Sequence, residues 1–145
     1  APSRLVAREK AFADGDNHVV VDMVDVDHPR FVTAADGLVA WVPEVPPLTG
    51  TVRIAARERA PSWNAGSDFG AIAGILLEVL ARIDHAFDAP AINLWLNQAR
   101  PGSDGGYHWH LDVISRLGTL AGLELGTGVI AVAMSPEAAA ERLRL

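Results

Sequence analysis

The chain has 145 residues, 50% of them apolar and 21% charged; that suits one globular core, since a domain of this length withdraws roughly 70% of its unfolded surface from water. It contains no cysteine, which excludes disulfides, thiolate chemistry and every cysteine-based zinc site, and no apolar run nears the roughly 20 residues of a membrane span, so a soluble protein without a membrane partner is expected. A net charge of −6 argues against nucleic acid as a partner, because that binding rests on Lys and Arg at phosphates, while a small anion in one locally basic pocket stays compatible with it.

In chain order, the amino terminus shows no basic-then-apolar leader, which makes the cytoplasm the expected location. No internal repeat or low-complexity tract interrupts the chain, so residues 1–145 are read as one domain. Arg4 to Phe12 could form a short helix, Asp14 to Asn17 a turn, and His18 to Val26 a strand. Asp25, Asp27 and His28 have the spacing of no metal loop and are read as a solvated acidic turn. Phe31 to Val42 places an Asp36-Gly37 turn between β-type residues, and Pro43, Pro46 and Pro47 must end the strand or lie at a sheet edge. Thr51 to Ala56 alternates as a strand. Pro61 and the stretch Asn64 to Ser67 form a loop, with Ser67 as the expected helix N-cap.

The clearest element is a helix from about Asp68 to Phe87, whose apolar stripe is read as Phe69, Ile72, Ala73, Leu76, Leu77, Leu80, Ile83 and Phe87. His85 falls near its end, where the dipole favours positive charge, and is read as a surface or capping residue. Ala91 to Asn97 alternates strictly: Ile92, Leu94 and Leu96 take one face, Asn93, Trp95 and Asn97 the other. A loop from Arg100 to Gly106 leads to a second alternating strand, Tyr107 to Val113. Gly122, Gly126 and Gly128 interrupt a last β-type region. Ser135 caps a short helix with Pro136 at its first position, running through Arg144. This order predicts an α+β fold, an antiparallel sheet with one long helix and short terminal helices.

Residues two apart on a strand share a face, so His108, His110 and Asp112 form one polar row of ~13 Å while Trp109, Leu111 and Val113 point the other way. Three chemistries fit it. A neutral imidazole could attack phosphorus while Asp112 or Asn97 fixes its tautomer. Both histidines could ligate a divalent metal with a third ligand from Asn97, Asp112 or a distant Glu. The row could instead hold a phosphate without reacting. Arg57, Arg59, Arg100 and Arg116 are available as anion partners, and each taken alone reads as a surface residue.

Three blocks carry a resemblance: Tyr107-His108-Trp109-His110-Leu111-Asp112-Val113-Ile114-Ser115-Arg116, then Ala121-Gly122-Leu123-Glu124-Leu125-Gly126-Thr127-Gly128, then Pro136-Glu137-Ala138-Ala139-Ala140. In order and separation they resemble the carboxy-terminal half of the galactose-1-phosphate uridylyltransferase family, part of the histidine-triad superfamily. Leu38 to Pro47, Val52 to Arg59, the long helix and Ile92 to Asn97 match more loosely. The resemblance implies a histidine-triad-like fold and transfer or hydrolysis of a nucleoside monophosphoryl group. On its register His110 takes the attacking middle position, His108 the first, and Asp112 stands where the triad hydrolases have a third histidine. Asn93, Asn97 and Arg116 become the expected substrate-binding residues. No metal is assigned; His108 and His110 are the donors if one is held. Nucleotide or sugar phosphate is the implied ligand, and a homodimer the implied assembly. Four features depart from the family: the sequence has no His-Pro-His, the uridylyltransferases' own nucleophile motif; Asn97 replaces a histidine that often completes a metal site; Asp112 replaces Glu or His; and no cysteine pair precedes the first helix. They keep open a non-catalytic domain that binds a nucleotide or a partner subunit.

Overall fold

The computed structural model describes residues 24–64, 66–99, 101–102 and 107–145. The helix expected over Arg4 to Phe12, the turn at Asp14 to Asn17 and most of the strand expected from His18 lie outside these residues. Val24 to His28 is coil and turn rather than strand end, and the acidic turn is present: His28 N–H donates to the Asp25 carbonyl and Asp27 N–H to the Asp25 carboxylate.

Strands β1 (Phe31–Ala35), β2 (Leu38–Trp41), β3 (Val52–Ala56), β4 (Ile92–Asn97) and β5 (His110–Ser115) form one antiparallel sheet in the order β1-β2-β3-β5-β4. Its first hairpin is dictated locally. Asp36 and Gly37 adopt φ of 49° and 77° between the paired residues Ala35 and Leu38, the backbone of a two-residue turn whose twist matches that of the strands it joins. Beyond Trp41 the prolines stop the ladder, as expected.

Helix α1 (Phe69–Phe87) lies across one face of the sheet. Its buried stripe is Ile72, Ile75, Val79, Ile83 and Ala86, not the one drawn from sequence: Phe69 and Leu77 are exposed, Leu76 and Leu80 only flank the stripe. The helix is so rich in apolar residues that several stripes satisfy a 3.6-residue period, and only the sheet decides among them. It packs on Leu38, Ala40, Val52, Ile54, Leu111 and Val113, and each fully buried Ile or Val there contributes roughly 1.5–3 kcal/mol. The N-cap is Asp68, whose Oδ1 accepts from Ala71 N–H at 2.9 Å; Ser67 turns back into the loop, its Oγ accepting from Asn64 N–H. A carboxylate there also suits the positive end of the helix dipole.

The region 121–128 corrects another expectation. It forms a short helix, α2 (Gly122–Thr127), not a strand, closed by a left-handed Gly128 and capped where Ala121 N–H donates to Glu124. Helix α3 (Pro136–Arg144) is as expected, with Ser135 Oγ accepting from Ala138 N–H, and Ala139, Ala140 and Leu143 join the core under α1. Among the described residues no helix is long and apolar enough to cross a membrane. With both long helices committed to one face, the even-numbered residues of β5 are turned to the other.

Candidate functional site

Strand β5 begins at His110, three residues later than alternation predicts, and runs on to Ser115. The reason is local. Trp109 N–H donates to the Ala60 carbonyl at 2.9 Å, tying this stretch to the loop after β3 instead of to the ladder. The His108 ring reinforces the tie: Nδ1 accepts from Ala60 N–H at 3.2 Å, and Nε2 lies 2.7 Å from the Ala56 carbonyl. An acceptor at Nδ1 and a donor at Nε2 define a neutral Nε2–H imidazole. His108 therefore clamps the two ends of the 56–60 loop, and it is 4% exposed.

His110 is turned the opposite way electronically. Its Nδ1 lies 3.3 Å from the His108 carbonyl, which can only accept, so Nδ1 carries a proton. The Tyr107 ring stacks beside it, with centroids 6.3 Å apart and planes 23° from parallel. Asp112 Oδ2 stands 3.9 Å from His110 Nε2, beyond hydrogen-bond reach.

The Asp112 carboxylate is wholly buried and is held from two neighbouring strands. From β3, Arg53 grips it with both prongs of its guanidinium, Nε to Oδ1 at 2.8 Å and Nη2 to Oδ2 at 3.2 Å. From β4, Asn97 Nδ2 donates to Oδ2 at 3.1 Å. Sheet register delivers both: Arg53 is cross-strand partner to Asp112, and Asn97 to His110.

The structure thus brings His110, Asp112 and Asn97 together, with His108 adjacent but engaged by the loop. It does not bring Asn93 or Arg116 to them. Asn93 pairs with Ile114 and is exposed, about 13 Å along β4 from Asn97, and exposed Arg116 lies past the end of β5, about 20 Å of strand from His110. Arg53 is not among the four arginines expected as anion partners. The alternation Val52-Arg53-Ile54 puts it on the face opposite the helix, which is the signal that could have found it; its register against Asp112 is a long-range fact no local pattern carries. Of the arginines that were considered, Arg57 donates to the Val24 carbonyl, and Arg57 and Arg59 are exposed beside a cavity of about 500 Å³ on the helix side of Trp109. Arg100 lies outside the described residues.

A metal between the histidines does not fit this geometry. Both His108 nitrogens are engaged by backbone groups, and among the described residues no cluster of three or more His, Asp or Glu is placed to hold an ion.

A five-stranded antiparallel sheet backed by one long helix, with a His-x-His-x-Asp row on the face opposite the helix, is a histidine-triad-like α+β fold. Among solved structures, a GalT-like protein from Arabidopsis thaliana matches 99% of this chain with a TM-score of 0.84 at 18% identity. An ADP-glucose phosphorylase from the same plant, with ADP-glucose bound, gives 0.83 at 18%, and a uridylyltransferase 0.81 at 22%. The chain spans about half of each, 50%, 49% and 52% of their lengths. A zinc-bound histidine triad family protein from Mycobacterium smegmatis matches over 89% of both chains with a TM-score of 0.56 at 17% identity. No family model and no curated protein matches the sequence, so the likeness is one of fold.

Proposed function

We propose that this domain transfers or hydrolyses a nucleoside monophosphoryl group through a covalent intermediate on His110. The observation that carries this reading is the bond from His110 Nδ1–H to the His108 carbonyl, which fixes the ring and makes its other nitrogen, Nε2, the candidate nucleophile. In the first step Nε2 attacks the α-phosphorus, a P–N bond forms, and the P–O bond to the leaving phosphate or sugar phosphate breaks with its electron pair. Water or an acceptor phosphate then displaces His110. Asp112 and Asn97 hold the ring's surroundings, and His108 is a positioning residue, since its carbonyl sets the His110 tautomer while its ring fixes the loop.

The fold neighbours support the substrate class: one holds ADP-glucose, and another is a Plasmodium falciparum diadenosine triphosphate hydrolase. Incubation with nucleoside diphosphate sugars and dinucleoside polyphosphates, followed by an alkaline quench and intact-mass measurement, should show a nucleoside monophosphoryl adduct that is lost in acid, as a phosphoramidate is. Turnover with no adduct at any quench time, together with unchanged turnover in His110→Gln, removes His110 from the reaction.

One observation favours a second reading, a domain that binds a nucleotide without reacting. His110 is only 2% exposed, so a phosphoryl group reaches Nε2 only when what covers the ring moves. On that reading, ligand at 100 times its dissociation constant stabilises the fold by about 2.7 kcal/mol and no turnover accompanies it.

We further propose a cytoplasmic homodimer joined along β4. Among the described residues this strand is an edge of the sheet, Leu94 on it is 46% exposed, and an exposed apolar edge is a template for pairing. Light scattering behind size exclusion should give twice the chain mass, and Leu94→Lys should return the monomer. A parent that runs as a monomer at high concentration ends the proposal.

A further inference from the structure

We propose that the cavity between the carboxyl end of β5, α2 and α3 binds a small monocarboxylate with an apolar body, an aryl or short-chain acyl acid, whose carboxylate is held by Arg142. This goes beyond the transfer reading above and does not depend on it.

The cavity measures about 270 Å³, and its apolar walls are Leu48, Phe87, Leu117, Leu120 and Met134. At ~30 Å³ per water it has the volume of about nine waters, space for a fragment-sized molecule. Two features fix its shape. Gly50, at φ 76°, lets Phe87 and Leu117 close over its backbone: a Cβ there would stand 3.1 Å from the ring of one and 3.2 Å from a methyl of the other. On the far wall Ala133 N–H donates to Thr49 Oγ1 at 2.9 Å, which ties the chain after α2 to the loop before β3. Leu117 and Leu120 nevertheless remain 39% and 43% exposed, apolar surface that an occupant takes from water. The cavity is separate from the histidine row. Ser115 on its wall is the last residue of β5, about 17 Å along the strand from His110.

Charge selects the class of occupant. Two ionic side chains line the cavity, Arg142 from α3 and Glu124 from α2. Glu124 is already used, because its Oε2 accepts from Ala121 N–H at 3.1 Å and closes the start of α2. The Arg142 guanidinium lies over the Phe87 ring, 5.1 Å from its centroid, and among the described residues no carboxylate or carbonyl pairs with it. A ring face orients a guanidinium without using its N–H donors. An arginine in the last turn of α3 suits the helix dipole, but a side chain pointing to solvent would satisfy the dipole as well. Docked on Phe87, it sets a fork of donors beside an apolar chamber, which matches a carboxylate on an apolar body and repels an amine.

The test is carbon-13 NMR of the whole chain labelled at its methionine methyls. The chain has two methionines, and the Met134 signal is the one lost in Met134→Leu. Phenylacetate, phenethyl alcohol and phenethylamine are titrated in turn. Phenylacetate should shift the Met134 signal saturably, with a dissociation constant on the order of 1 mM or below. The alcohol should bind at least about tenfold more weakly, and the amine should leave the signal in place. In Arg142→Gln the acid should weaken to the level of the alcohol; Arg142 is exposed and Gln keeps part of its stem, so this variant retains the fold. Leu120→Trp, which fills the cavity, should abolish the shift, and should it not fold, the Arg142→Gln comparison decides. The proposal is overturned by phenylacetate giving no saturable shift, by the alcohol or the amine binding as tightly as the acid, or by Arg142→Gln keeping the parent's preference for the acid. Nucleotidyl transfer does not enter these titrations, so its failure leaves them unchanged.

Discussion

On the proposed mechanism, replacing His110 by alanine lowers nucleotidyl transfer by a factor on the order of 10³ or more. The loss falls on kcat, because the deleted group forms the bond broken and remade in each turnover and adds little to ground-state binding. His108 is the weaker candidate, since it spends its lone pair on Ala60 N–H and its proton on the Ala56 carbonyl. The measurement is single-turnover release of the leaving group by His110→Ala against the parent, with circular dichroism confirming the fold. A variant that keeps the parent's rate removes the nucleophile from the reaction. His108→Ala gives a different pattern if the clamp is its role: kcat and KM change together, because loop 56–60 is released while Nε2 of His110 survives.

The fold was largely legible because its signals are local. The Asp36-Gly37 turn, the strict alternation of Ile92 to Asn97 and the Ser135-Pro136 helix start each act within a few residues, and all three stand in the structure. The errors share one cause, which is that tertiary contacts overrode a local pattern. Tyr107 to Trp109 alternate well enough for a strand, yet the backbone of Trp109 and the ring of His108 bond to the loop after β3. Gly122 to Thr127 looks too rich in glycine for a helix, and still forms one turn and a half with Glu124 closing its start and Gly128 its end. The candidate site shows the same limit. Strand parity puts His110 and Asp112 on one face from sequence alone; that both nitrogens of His108 are bound by backbone depends on what the β3 loop does. Arg53 was invisible for a related reason, since β3 and β5 are 59 residues apart where they meet.

Arg53→Met should cost about 3–5 kcal/mol of folding stability, the usual penalty for stranding one member of a buried ion pair. Asp112 has no exposed surface and the Arg53 side chain 14%, so neither charge is repaid by water when its partner goes. Met nearly matches the length of the arginine stem and keeps its packing, which isolates the electrostatic loss from a cavity. The converse change, Asp112→Leu, strands the guanidinium and should cost less, because Arg53 retains some contact with solvent. Removing both together is the informative case. Two buried charges that attract each other also carry two desolvation penalties, so Arg53→Met/Asp112→Leu should recover most of what either single change loses. Urea unfolding of the four proteins gives the coupling directly. Additive losses would mean that the pair does not act as a unit. A recovered double variant that folds as well as the parent but has lost the proposed activity would place the purpose of the pair in the site and not in the stability of the sheet, which is what one expects of a polar network buried where an apolar one would have served the fold equally well.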